Sequence, residues 1–152
     1  MRREAAEHHS WIAPLEREHL AGAIELFAAE GWSYAEDEQR AWRALTAPGS
    51  LTLVALSSGR EVIGIAQVLS DGEIQAFLAI VLIARAHRRQ GVARSLIDEA
   101  LARTRCTRLD VISCADPLYE QLGFTRVSGF RLRQIDTSAR PSSPASTAEG
   151  QA

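Results

Sequence analysis

The chain has 152 residues, enough for one domain with a sizeable core. Its 17 basic and 19 acidic side chains leave a formal charge of −2, which argues against a nucleic-acid partner. Its 46% hydrophobic content is that of a globular protein, neither a disordered chain nor a membrane one. Cys106 and Cys114 are too few for a disulfide framework, and the adjacent His8 and His9 lack helical ligand spacing, so no metal is expected. The polar start does not read as a signal peptide, and no apolar run is long enough to span a bilayer. A cytoplasmic protein with no membrane partner is expected.

In chain order, residues 1–7 are expected to be frayed and residues 9–15 form a short first strand. Within 16–30, Leu20, Ile24 and Phe27 recur at three- and four-residue spacing, which is one helix face, and Gly31 ends it. A loop at 32–34 leads to a second helix at 36–47, stopped by Pro48 and Gly49. Strands at 51–56 and 61–69 follow, and Asp71-Gly72 signals a hairpin into a strand at 73–84. That strand is apolar on both faces in its second half, so it is expected to be central.

A basic turn, Arg88-Arg89-Gln90-Gly91, then opens an amphipathic helix at about 91–104. Residues 109–114 read as another buried strand. Asp116 and Pro117 begin a short helix, and 124–127 and 130–135 read as edge strands meeting at Ser128-Gly129. Residues 136–152, rich in Ser, Pro, Ala and Gly, cannot bury enough surface to order themselves. The domain thus spans 8–135, with a disordered tail. Three antiparallel strands followed by strand–helix–strand imply an α/β (α+β) fold, a mixed and mostly antiparallel sheet with helices on its faces.

The turn before the third long helix carries chemistry. The first amides of a helix have no internal partner, and the helix dipole adds positive potential there, which suits an anion. Gly91 tolerates positive φ and close approach, while Arg88, Arg89 and Arg94 add charge. The bland alternative is an ordinary loop-to-helix turn with solvated arginines.

Arg88-x-x-Gly91-x-Ala93 after an apolar strand resembles the acetyl-CoA signature Gln/Arg-x-x-Gly-x-Gly/Ala of the GNAT superfamily of N-acetyltransferases. Downstream, Tyr119-Glu-Gln-Leu-Gly123-Phe124 is similar to that family's Tyr-x-x-x-Gly-Phe helix end. The two motifs come in the family's order, and the resemblance covers about residues 8–135. It implies a sheet whose central strand and successor splay apart, with the pantetheine arm of acetyl-CoA in the gap. It implies that Arg88, Arg89, Gln90, Gly91, Val92, Ala93 and Arg94 hold the diphosphate. The backbone of Val81, Leu82 and Ile83 would align the pantetheine as an added strand, and an amide near Ile83 would serve as oxyanion donor.

Tyr119 is the candidate catalytic acid, because a phenol can protonate a departing thiolate without being ionised at neutral pH. Its alternative is a packed aromatic with a solvated hydroxyl. Some relatives place a basic glutamate on the central strand where this chain has Phe77. Gln75 and Glu73 lie earlier on the same face, and the base stays unassigned. Cys114 as a nucleophile lacks an activating histidine, and His87 reads as a surface residue. Trp32, Tyr34 and Gln75 are candidates for the acceptor side. The nearby acids Glu36, Asp37 and Glu38 read rather as helix N-terminal residues.

The expected activity is acetyl transfer from acetyl-CoA to a primary amine by direct attack in a ternary complex. The alternative is a non-catalytic module that senses acyl-CoA. A small-molecule or peptide amine is the expected partner, and a homodimer is compatible with the family. Neither Gly-x-x-x-x-Gly-Lys-Ser/Thr nor Gly-x-Gly-x-x-Gly occurs, which disfavours a nucleotide-binding enzyme.

Overall fold

A computed structural model describes residues 10–113 and 116–131. The expected frayed start, Cys114 and the tail lie outside them. Among the described residues, alternating and continuous apolar runs become one five-stranded sheet in the order β1-β2-β3-β4-β5. The strands are β1 (Trp11–Pro14), β2 (Ser50–Leu56), β3 (Val62–Ser70), β4 (Gln75–Ile83) and β5 (Arg108–Val111). β1 to β4 pair antiparallel in three successive neighbour pairs, and β5 returns parallel to β4 after a crossover helix. The helices are α1 (Leu20–Ala29), α2 (Glu38–Leu45), α3 (Val92–Thr104) and α4 (Asp116–Gln121). No helix among the described residues is long and apolar enough to cross a membrane.

Each face of the sheet is covered, so the sheet is a middle layer. On one face Leu53, Ala66, Val68 and Leu78 pack with Val92, Leu96 and Ile97 of α3. On the other, Val54, Ile65, Ile80 and Leu82 pack with Leu20, Phe27 and Leu45 of α1 and α2. Gly64 of β3 allows α3 to settle closely, since a Cβ there would lie 2.8 Å from the Ile83 side chain and 3.2 Å from that of Leu96. Asp37 caps α2 by accepting the Arg40 amide at 3.0 Å, which accounts for one of the acids beside Trp32 and Tyr34.

The β3–β4 hairpin turns through four residues rather than two. Asp71 Oδ1 accepts the amides of Glu73, Ile74 and Gln75 at 2.8–3.1 Å, and Gly72 takes φ +82°. Those three amides hold the Asp71 carboxyl below its usual pKa.

Three expectations change. The strand expected at 109–114 runs over Arg108–Val111 and is only half-buried, with Ile112 exposed. Its outer edge has no ladder partner among the described residues. Residues 124–131 form no strand, because they join no ladder among the described residues. Val127 and Phe130 are exposed, and residues 132–135 lie outside the described part. The short helix includes Asp116 instead of starting after it.

Candidate active site

The site begins with an interruption in β4. Gln67 pairs with Ile80 but Val68 pairs with Leu78, so Ala79 is an extra residue on β4, a β-bulge. The bulge exchanges the two faces of the strand. Ala76 and Leu78 point toward α3 before it, whereas Ile80 and Leu82 point toward α1 after it. The parallel pairing with β5 stops at the same place, at Leu78↔Val111. From residue 79 to 83, β4 therefore has a ladder partner on one side only among the described residues, β3. A gap flanks the strand that the sequence marks as central.

Bond directions show which groups face that gap. The Ala84 amide donates to Ile63 O at 2.8 Å, on the β3 side. Strand alternation then turns the amides and carbonyls of Val81 and Ile83 to the open edge, and those of Leu82 to β3. Arg88 Nε donates to Ile83 O at 3.0 Å, which confirms that Ile83 O lies away from β3. The side chains of Leu82 and Ile83 are buried and that of Val81 is half-buried, so backbone, not side chains, lines this edge.

The chain leaves β4 through a 3-10 turn, Arg85–His87, and reaches α3 through two left-handed residues, Arg89 (φ +60°) and Gly91 (φ +82°). Gly91 is the N-cap of α3, and its carbonyl accepts the Ser95 amide at 3.0 Å. No protein acceptor is found for the amides of residues 89–94 among the described residues. Consecutive amides ending in a helix N-terminus form an anion-binding concavity. A Cβ on Gly91 would meet nothing within 4 Å, so the space above the turn is open. Val92 is buried beneath the turn, against β3 and α3 neighbours, and Ala93 is half-buried. Gln90 is exposed and folds back, donating from Nε2 to Ala86 O at 3.0 Å.

The three arginines have different tasks. Arg88 donates to Glu30 Oε1 at 2.7 Å as well as to Ile83 O, so its charge is engaged by an anion from the end of α1. Arg94 donates to Gln121 O at 3.1 Å, which ties the first turn of α3 to α4. The Arg89 side chain makes no hydrogen bond or ion pair among the described residues and remains available to a ligand. The sequence alone does not distinguish the three. Their partners lie too far along the chain for local patterning to reveal them.

Tyr119 stands on α4, half-buried, its ring edge-on to Phe124 at 5.4 Å. It lines a cavity of about 640 Å³ together with Phe77, Asp110, Ser113, Glu120 and Phe130. Burial pushes the Tyr119 hydroxyl above its usual value of 10.0, and a hydrogen bond from Ser113 acts in the opposite direction. Tyr119 is therefore a neutral phenol at physiological pH, with its oxygen held by Ser113. Nothing in the sequence singled out Ser113; only a serine at the mouth of β5, six residues before the tyrosine, could have suggested it.

Of the expected acceptor residues, Trp32 and Tyr34 meet on one aromatic ring and Gln75 lies apart from them. Trp32 and Tyr34 stack on Phe27, at 5.8 and 4.8 Å between ring centroids. Tyr34 lines a separate cavity of about 240 Å³ with Ser33, Asp37 and Arg40. Gln75 sits at the hairpin end of β4, exposed, at the opposite end of the strand from Ile83 and outside the Tyr119 cavity. Among the described residues, no group of three or more His, Cys, Asp and Glu side chains could hold a metal ion.

A bulged strand with an edge that has no ladder partner among the described residues, feeding an amide-rich turn at a helix N-terminus, is an arrangement suited to an anion. The family model described as an acetyltransferase (GNAT) domain matches residues 48–126, more than half of the chain, and the protein belongs to that family. No curated protein matches the sequence. Among solved structures, an acetyltransferase of Trypanosoma brucei is similar over 84% of this chain and 99% of its own, with 20% identity and a TM-score of 0.68. A GNAT-family acetyltransferase of Streptococcus pneumoniae covers 84% and 100%, with 22% identity and a TM-score of 0.67. An aminoglycoside 6'-N-acetyltransferase of Acinetobacter haemolyticus covers 83% and 99%, with 24% identity and a TM-score of 0.67. At these identities the likeness is one of fold.

Proposed function

We propose that this protein transfers an acetyl group from acetyl-CoA to a primary amine by direct attack in a ternary complex, in the cytoplasm. The observation that supports this most is the run of unpartnered amides at 89–94 directly after the unpaired edge of β4 at 79–83. Bound acetyl-CoA supplies the thioester. Residues 89–94 would bind its diphosphate, with Arg89 adding charge. The open-edge amide and carbonyl of Val81 would align its amide-bearing arm as a strand would be aligned, while Arg88 occupies the Ile83 carbonyl. The Ile83 amide is then the nearest candidate donor to the carbonyl oxygen as it gains charge.

The incoming amine must be neutral. Phe77 offers no base, and Asp110 and Glu120 in the cavity are engaged by Arg108 and Arg126 at 3.0 and 3.1 Å. The amine's proton therefore goes to solvent. Tyr119 gives its proton to the departing sulfur and recovers one from water, so that one amide and one thiol leave. Ser113 would ease that donation by stabilising the phenolate oxygen.

The test is an amine panel with acetyl-CoA, read by thiol release, beside calorimetry with CoA. Turnover with at least one primary amine is expected. CoA binding without turnover on any amine would favour an acyl-CoA-sensing module, and absence of CoA binding would overturn both readings.

A further inference from the structure

Glu30 stands where helix electrostatics disfavour it. It is the C-cap of α1, next to the negative end of the helix dipole, where a cation is normally the stabilising residue. Its carboxylate is only a quarter exposed and is held by two arginines 55 and 58 residues away in sequence. Arg85 Nε donates to Oε1 at 3.1 Å, and Arg88 donates to the same oxygen at 2.7 Å. These bonds hold the carboxyl below its usual pKa, so it is ionised throughout the neutral range. Arg88 is thereby fixed at both ends of its guanidinium: Nε on Ile83 O, and the terminal nitrogen on Glu30. It is also the last residue before the left-handed pair at 89 and 91.

We propose that Glu30 is a positioning residue for the cosubstrate. By holding Arg85 and Arg88, it fixes the segment between the open edge of β4 and the amide-rich turn, and so sets the shape in which the diphosphate is received. Glu30 itself touches no substrate. The consequence is that α1, on one face of the sheet, controls affinity at a turn that opens a helix on the other face. This inference rests on the reading of the turn as a CoA site.

The experiment compares two thioester donors that differ in the diphosphate. Glu30→Gln keeps the size of the side chain and removes its charge. The CoA dissociation constant, read by calorimetry, is expected to rise about tenfold, the scale of one charge-assisted hydrogen-bonded pair. The kcat/KM for S-acetyl-pantetheine, which lacks the diphosphate, is expected to stay within about twofold of the unsubstituted protein. Arg88→Gln should weaken CoA binding at least as much, and the double variant should lose no more CoA affinity than Arg88→Gln alone, because the two act as one unit. If Glu30→Gln does not accumulate folded, Glu30→Asp, which keeps the charge and shortens its reach to Arg85 and Arg88, decides by the same comparison.

Unchanged CoA affinity, equal loss with both donors, or additive losses in the double variant would each overturn the proposal. If the unsubstituted protein binds no CoA, the functional reading itself fails; if it binds CoA and the variants bind it equally, only the role of Glu30 does.

Discussion

Gly91 and Gly72 form a matched pair that separates backbone strain from ligand binding. Both have φ +82°, and a Cβ on either would meet nothing within 4 Å. Alanine at either position therefore clashes with no protein atom and costs only the left-handed conformation, about 1–2 kcal/mol. For a domain of this size that is a fall in Tm of roughly 3–8 °C. Gly72 lies in the β3–β4 hairpin and Gly91 caps α3, so only the second bears on the proposed diphosphate.

Gly91→Ala and Gly72→Ala should thus lose similar stability by thermal melting, while CoA affinity by calorimetry falls for Gly91→Ala alone. Gly91→Asp sharpens the contrast. Aspartate tolerates left-handed φ better than alanine, so the melting point should fall less. A carboxylate about 5 Å from a bound phosphate charge, at an effective dielectric of about 20, costs about 3 kcal/mol. That is more than a hundredfold in affinity. CoA binding by Gly91→Asp at the unsubstituted affinity, in a protein that melts normally, would refute the placement of the diphosphate on this turn.

Tyr119→Phe should lower kcat at least tenfold while changing the KM for acetyl-CoA little; steady-state kinetics with unchanged kcat would remove the acid role. Because the Tyr119 pKa lies above 10.0 in the folded state, that state holds the phenolic proton where the unfolded chain has released it. Stability should be independent of this group below pH 10 and decline above it, and the decline should be smaller in Tyr119→Phe when unfolding is followed against pH. Ser113→Ala removes the hydrogen bond that lowers the Tyr119 pKa, so the tyrosine becomes a weaker acid and kcat should fall severalfold with KM held; a kcat/pH profile that does not move would count against the pairing. Leu96, fully buried between α3 and the sheet, should cost about 2–5 kcal/mol on truncation to alanine, measured by denaturant unfolding; a loss under about 1 kcal/mol would contradict the packing of α3 on β3.

Local chemistry made much of this protein legible in its sequence. The apolar run ending at Ala84, the glycine at 91 and the helical periodicity after it specify a strand, a turn and a helix, because each depends on neighbours a few residues away. Asp71-Gly72 marked the hairpin for the same reason, although the Asp71 carboxylate, by gathering three amides, set its length. Non-local pairing decided the rest. The bulge at Ala79 and the end of the β4–β5 ladder at Leu78 depend on register between strands, which apolar composition does not encode when both faces are buried. The division of labour among Arg88, Arg89 and Arg94 was settled by Glu30 and Gln121, far along the chain, and the state of the Tyr119 hydroxyl by Ser113 and burial. Periodicity and turn residues act over one or two helical turns, so they determine which elements form. Where a sheet opens and which charges stay free follow only once elements distant in sequence are packed together.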